Sequence, residues 1–232
     1  MSKFLIQNIQ GVLFIENFAF RDKLEIASKI NKETNNLFDG DPIMLDLPPD
    51  VPPEIPRIQL KSSKAVYSLN FSPMRIDLFY NESGKPEKTL DALRGDYLKY
   101  LFNIVELIKT EYHLGVPRIA IVLKTLREME VGSNLFVYEK FLGGNPFFKE
   151  ASSLEIHALE KTTMKDYHIN RWLRIKTGTG LPVNEKVLSV EIDINTMPEK
   201  HGDFDLEKIK DFYRNSLDFA KENFSRCFGE SL

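Results

Sequence analysis

The chain has 232 residues, enough for one large domain or two small ones with a substantial buried core. Charged residues make up 28% and hydrophobic residues 42%, close to the averages of soluble globular proteins, which indicates neither a disordered chain nor a membrane protein. The net charge of -3 gives no overall attraction to phosphate backbones, so nucleic acid is not an expected partner without a local basic patch.

A single cysteine, Cys227, allows neither an internal disulfide nor a multi-cysteine zinc site. The reducing cytoplasm is therefore the expected location. The apolar start of the chain is interrupted by Gln7, Asn8 and Gln10, which does not fit a signal peptide, and no apolar run approaches the roughly 20 residues that cross a bilayer. We expect a soluble protein with no membrane contact and no cofactor.

The first half of the chain, residues 1–116, predicts a strand, a helix, a three-stranded meander and a long helix. β-branched and aromatic residues over 4–20 favour strand structure, and apolar residues at helical spacing follow. Six prolines in the segment 39–56 fit neither a regular helix nor a central strand and predict an extended surface connector. Pro-rich segments also bind aromatic grooves on partner proteins.

The second half, residues 117–232, predicts the same order of elements. A strand begins at Arg118, a short helix at Asn134, and three alternating strands lead to a long helix between the N-cap Asp205 and Gly229. The two long helices share almost no residue identity, so any repeat is one of architecture. We predict an α+β fold in which two pseudo-repeated strand-helix-three-strand-helix halves form antiparallel sheets covered by two long helices, in one compact domain. The alternative is a single irregular α+β domain.

The stretch "IKTGTGLP", residues 175–182, raises the possibility of a phosphate-binding loop. A P-loop places its lysine after the glycines, between a buried strand and a helix, whereas here the lysine comes first and an alternating strand follows. The pattern favours the loop of a β-hairpin, with contact to a ligand or partner as the alternative.

The two strands beside this loop each have one apolar and one polar face. The polar faces carry six side chains that we name as candidate binding residues: Trp172, Arg174, His168, Lys176, Glu191 and Asp193. Tryptophan and arginine are enriched at the energetic centres of interfaces, which favours a binding surface. Two alternatives remain, a solvated face with cross-strand ion pairs or a face that the long helices cover, with Trp172 in the core.

A metal site is a weaker alternative. His157 lies opposite the apolar side of its strand, and together with His168, Glu191 and Asp193 it could supply two imidazoles and two carboxylates. The sequence has no H-x-x-x-H or H-E-x-x-H spacing and no G-x-S-x-G motif, so we predict no catalytic residue.

The strand "VEIDIN" and the amphipathic segment "DFDLEKIKDFYRNSLDFAKENF" that follows resemble the end of a sporadically distributed bacterial family of uncharacterised proteins. Its members are similar in length, open with a strand and a helix, continue through meanders, and close with an acidic strand and an aromatic-containing helix. The resemblance is one of layout and implies no catalytic residue.

The sequence favours a non-enzymatic interaction protein, such as a bacterial accessory or defence-associated factor, that binds a protein or small ligand through a sheet face or the Pro-rich connector. One alternative is a metal-assisted hydrolase that uses the His and carboxylate set. A third is a nucleic-acid binder with a curved antiparallel sheet, in which Arg171, Arg174 and Lys176 contact phosphates. A homo-oligomer is compatible with each.

Overall fold

The computed structural model describes residues 3–48, 50–82, 84–130, 132–143, 145–179, 184–197, 202–229 and 232. Over these residues the chain forms one sheet of nine strands, four α-helices and a short 3-10 helix at Pro146–Phe148. This architecture confirms the predicted α+β class.

The first half contains the predicted strand, helix, meander and long helix, in that order. Its elements are β1 (Leu5–Phe14), α1 (Lys23–Glu33), β2 (Ile43–Met44), β3 (Ile58–Lys61), β4 (Tyr67–Ser72), β5 (Arg75–Asn81) and α2 (Leu90–Thr110). The Asp22 carboxylate caps α1 by accepting a hydrogen bond from the Glu25 N–H at 2.9 Å. The described part of the Pro-rich connector contains the two-residue strand β2 and no helix, as its prolines require.

The second half follows the same order. Its elements are β6 (Arg118–Glu128), α3 (Ser133–Phe141), β7 (Glu155–Met164), β8 (Tyr167–Thr179), β9 (Asn184–Thr196) and α4 (Leu206–Phe228). Asp205 caps the start of α4 by accepting from the Lys208 N–H at 2.8 Å, and Gly229 ends the helix with a φ of 74°. Glycine has no Cβ and so adopts this left-handed conformation most readily.

The strands lie in the order β2-β3-β4-β5-β1-β6-β9-β8-β7, and each neighbouring pair is antiparallel. β1 and β6 pair at the middle, where Val12 lies opposite Ala120, so the two halves share one continuous sheet. Outward from this pair, the first half adds β5, β4, β3 and the two-residue β2, and the second half adds β9, β8 and β7. The internal repeat that this order suggests stays a prediction.

The two long helices pack on one face of the sheet. The Tyr97 hydroxyl of α2 donates to the Leu78 carbonyl of β5 at 2.9 Å, and the Tyr213 hydroxyl of α4 donates to the Val12 carbonyl of β1 at 2.7 Å. Both tyrosines are fully buried, so each hydroxyl needs the backbone acceptor that it finds. These bonds fix both helices against the two halves of the sheet, close to its middle.

The short helices belong to the same layer. The Asn103 amide of α2 donates to the Glu33 carbonyl at the end of α1, and Phe136 of α3 stacks on Phe228 of α4 with the ring centroids 6.5 Å apart. The core lies between these helices and the sheet. None of the helices in the described part of the chain is both long and apolar enough to cross a membrane.

Candidate functional site: the open face of the sheet

The side chains of β1 alternate between the two sides of the sheet. Ile9 and Leu13 are buried on the helix side, so the residues between them point to the other side. The strand register carries this alternation across the neighbouring strands. We call the surface on the side away from the helices the open face; it is formed by Asn8, Gln10, Val12, Phe14, Arg75, Asp77, Phe79, Asn81, Arg118, Ala120, Val122, Lys124, Asn170, Trp172, Arg174, Lys176, Glu191, Asp193 and Asn195.

Four of the six predicted binding residues meet on the open face. Trp172 of β8 lies directly opposite Asp193 of β9, and Arg174 lies opposite Glu191. The Arg174 guanidinium forms an ion pair with Glu191 and lies 3.9 Å from the Asp193 carboxylate. Its central carbon is 5.5 Å from the centroid of the Trp172 ring, a cation–π distance. These four residues form a cluster because adjacent antiparallel strands bring them face to face.

The other two predicted residues flank this cluster at a distance. Lys176 pairs with Glu155 of the edge strand β7 at 2.5 Å, and the hydrogen bond from Lys176 lowers the pKa of the Glu155 carboxyl. His168 lies opposite Thr163, four residues before Trp172 along the same strand. At about 3.3 Å per residue, each is roughly 13 Å from the tryptophan along β8. Lys176 and His168 therefore mark the two ends of the surface.

A network of side-chain hydrogen bonds, which was not predicted from the sequence, holds the residues at the middle of the open face. The Asn195 side-chain oxygen accepts from Arg118 at 3.0 Å and from Asn170 at 3.2 Å. Its amide nitrogen donates to Asp193 at 3.0 Å, so Asp193 is held from the side opposite to Arg174. Asn195 is 5% exposed, and three hydrogen bonds satisfy its buried amide.

A second network lies on the first half of the face. Asp77 is 8% exposed and accepts from Gln10 and from Arg75 Nε, each at 2.8 Å. Arg75 and Arg118 both contact the Phe14 ring, with their central guanidinium carbons 5.4 and 4.5 Å from its centroid. The carboxylates described on the open face are therefore each held in place by a guanidinium or an amide group.

The four candidate metal ligands are not brought together. His157 lies on β7 opposite Arg174, with Glu191 one strand farther on, so the guanidinium stands between the imidazole and that carboxylate. His168 is at the far end of β8 from this row. Within the described ranges, no three His, Cys, Asp or Glu side chains form a group that could hold a metal ion.

Arg171 requires a correction. The nucleic-acid hypothesis places it beside Arg174 and Lys176, yet it points to the opposite side of the sheet. Its guanidinium bonds Asn223 of α4 and Glu160 of β7, and lies 5.5 Å from the ring centroid of Phe219. Arg171 is a contact between the sheet and α4 and cannot reach a ligand on the open face.

The stretch "IKTGTGLP" joins two paired strands, as the hairpin prediction required. Residues 175–179 belong to β8, which pairs with β9, while 180–183 lie outside the described residues. Gly178 has a φ of 62° at a shift of register between Thr177 and Thr179, the geometry of a β-bulge. Gly178, the first glycine of this stretch, thus allows the β-bulge in β8.

No protein-family model matches the chain, and neither a curated protein nor a solved structure matches it. Membership of the sporadically distributed bacterial family stays a prediction. The function is argued from the geometry of the site, because a fold alone does not specify one.

Proposed function

We propose that this chain is a non-enzymatic binding protein, and that a partner protein docks on the open face around Trp172 and Arg174. The observation that carries the proposal is the position of Trp172. The single tryptophan of the chain lies half-buried on the side of the sheet away from the helices, in contact with an arginine. Tryptophan and arginine at the centre of a surface are the residue types that carry most of the energy of protein interfaces.

The pairing of charges supports a protein as the partner. Arg174 is paired with Glu191, Lys176 with Glu155 and Arg75 with Asp77. A nucleic acid gains affinity from cations that neutralise its phosphates, and these cations are already neutralised in place. A protein surface carries both signs of charge and can complement such an array.

Nucleic acid is the second candidate, because two lysines on this side of the sheet are free. One is Lys124 of β6, and the other is Lys161 of the edge strand β7, which lies opposite Asn170 of β8. Neither has a carboxylate within 4 Å in the described part of the chain. Binding through such cations weakens steeply as salt rises. No retention on heparin at low salt would exclude this candidate.

A matched pair of arginine substitutions tests the main proposal. Arg174→Ala removes an ion pair and a cation–π contact on the open face. Arg214→Ala removes the same two interactions on α4, where Arg214 pairs with Asp211 at 3.1 Å and lies 4.9 Å from the Phe102 ring. Partners are recovered by affinity capture, purified, and titrated against each variant by calorimetry.

We expect Arg174→Ala to weaken the binding of a purified partner by at least about 2 kcal/mol, or about 30-fold in Kd. Arg214→Ala is expected to leave this affinity unchanged. Equal effects of the two substitutions would overturn the docking surface. Robust turnover of a substrate by the purified protein would overturn the non-enzymatic assignment.

The tryptophan supplies an independent measurement. Trp172 is the sole indole in the chain, so intrinsic tryptophan fluorescence reports on the open face alone. Docking of a partner that lacks tryptophan is expected to shift the emission to shorter wavelength as water leaves the ring. An unchanged spectrum at saturating partner would place the interface elsewhere. If the partner is a second copy of this chain, the emission spectrum and the molecular mass in solution would instead change with the concentration of the protein itself.

A further inference from the structure

A cavity of about 680 Å³ lies away from the open face, between the loop after β1 and the Pro-rich connector. Its walls include two phenylalanines, two prolines and two cations: Phe18, Phe20, Pro48, Pro53, Lys23 and Arg57. This volume falls within the range of small-molecule sites, which are mostly apolar with a few polar groups that fix the ligand.

Arg57 is the unusual residue of this cavity. It is 9% exposed, and its backbone is fixed on both sides, with its N–H donating to Phe71 at 2.8 Å and its carbonyl accepting from Leu45 at 2.9 Å. Its guanidinium reaches the carbonyls of Ile55 and Val51 at 3.4 and 3.5 Å, the long limit of hydrogen bonding. No carboxylate among the described residues lies within 4 Å of it.

A buried guanidinium without a counter-ion is costly. Arginine stays charged at any ordinary pH and presents five N–H donors, and two long bonds to carbonyls leave most of that capacity unused. Buried charges in proteins are paired or bind ligands, since the loss of hydration must be offset. The structure thus supplies a fixed cation at a cavity and leaves the anion to come from outside.

Lys23 gives the cavity a second cation. Its ammonium group donates to the Leu45 carbonyl at 2.9 Å and pairs with Asp46. The Asp46 side chain is 98% exposed, so an incoming anion can replace it at little cost, because exposed ion pairs contribute little to stability.

The apolar wall is rigid. Phe18 stacks on Phe71 with the ring centroids 5.3 Å apart, and Phe20 meets the same ring edge-on at 4.9 Å. Phe71 is fully buried in the sheet, so both half-buried rings rest on the core. Prolines 48 and 53 line the same cavity. Such a wall favours a ligand with a flat apolar body.

We propose that this cavity binds a small organic anion, with its oxyanion paired to Arg57 and Lys23 and its apolar part between the phenylalanines and the prolines. A carboxylate and a phosphate share the required chemistry, since a guanidinium pairs with either in a bidentate manner. The site is independent of the open face.

The test titrates the full chain with phenylacetate, phenyl phosphate and uncharged phenylacetamide, and follows the Nε–Hε resonance of Arg57 by NMR. At least one anion is expected to shift this resonance to saturation with a Kd of about 1 mM or tighter, and phenylacetamide is expected to leave it unmoved. Comparison of the two anions distinguishes a carboxylate from a phosphate ligand.

Three variants complete the experiment. Arg57→Gln is expected to weaken anion binding at least tenfold, measured by calorimetry, while Arg214→Gln on α4 leaves it unchanged. If Arg57→Gln does not fold, Lys23→Met serves instead, since its partner Asp46 is solvated, and it is expected to weaken binding severalfold. The proposal is overturned if neither anion binds, if phenylacetamide binds equally, or if the folded variants at these positions bind as the wild type does.

Discussion

Replacing Gly11 with alanine would place a methyl group against the Tyr97 hydroxyl. Gly11 lies on β1 beneath α2, and a Cβ there would be 2.8 Å from the Tyr97 oxygen and 3.0 and 3.2 Å from the two methyl carbons of Leu101. Carbon atoms do not approach neighbours this closely, so the helix or the tyrosine must move. Any such movement disturbs the 2.9 Å hydrogen bond from Tyr97 to Leu78.

The magnitude follows from three contributions. Overpacking a filled core costs about 1 to 3 kcal/mol, and weakening the buried hydrogen bond costs up to about 1 kcal/mol. Against these, alanine lowers the entropy of the unfolded chain and stabilises by about 0.5 to 1 kcal/mol. The middle of these ranges gives an expected net loss of about 2 kcal/mol, which lowers the Tm of a chain of this length by about 4 to 8 °C.

The control is a second glycine-to-alanine change that is expected to have the opposite effect on the free energy of unfolding. Gly95 lies inside α2 on its exposed side, and a Cβ there meets no atom within 4 Å. Gly95→Ala is expected to stabilise by up to about 1 kcal/mol, because glycine is a poor helix former. Both variants are measured by calorimetry and urea unfolding. A Gly11→Ala protein as stable as Gly95→Ala would refute the packing of α2 on β1.

A double-mutant cycle identifies the atom responsible. Tyr97→Phe removes the oxygen nearest to the added methyl group and by itself costs about 1 kcal/mol. In combination with Gly11→Ala it is expected to relieve the overlap, so that the double variant is more stable than the sum of the single losses by about 0.5 kcal/mol or more. Strict additivity would show that the hydroxyl is not the obstacle.

Two further predictions concern pH and the end of α2. Burial raises the pKa of Tyr67 and of Tyr167 to about 12, so each neutral phenol contributes stability that is complete below the unfolded pKa of about 10 and is lost as pH rises toward 12. Absorbance at 295 nm and circular dichroism are expected to change together above pH 10, and ionisation of every tyrosine near pH 10 with the fold intact would contradict this. Asp203 bonds the Val116 N–H and, at 3.0 Å, the Lys109 ammonium, so Asp203→Ala is expected to cost about 1 to 2 kcal/mol of unfolding free energy by urea titration. Asp203→Asn keeps an acceptor for the backbone bond and is expected to lose less; a larger loss would disprove that role.

The cluster around Trp172 could be predicted because its information is local. Alternation with a period of two assigns each residue of β8 and β9 to a side, and the predicted hairpin makes the two strands neighbours. Trp172 and Arg174 therefore had to face residues such as Asp193 and Glu191 once the strands paired. The α+β class was predictable for the same reason, since the strand and helix periods alternate along the chain.

The rest depends on the order of the strands, which no local pattern encodes. Phe14, Arg118 and Asn195 come together because β1, β6 and β9 are neighbours in the sheet, although they are far apart in sequence. The contact of Arg171 with Asn223 likewise depends on where α4 lies. Arg57 follows a run of prolines, and only the folded connector shows that its guanidinium is buried.

Because β1 pairs with β6 at the middle of the sheet, the two edges of β1 are filled at different times during synthesis on the ribosome. One edge of β1 can be filled by β5 once residue 81 is made, whereas the other edge stays open until residues 118–128 follow. An open strand edge is a template for pairing with another chain. The nascent first half thus exposes a ten-residue strand at what will become the centre of the molecule, and a chain that stops at residue 116 is expected to self-associate through it.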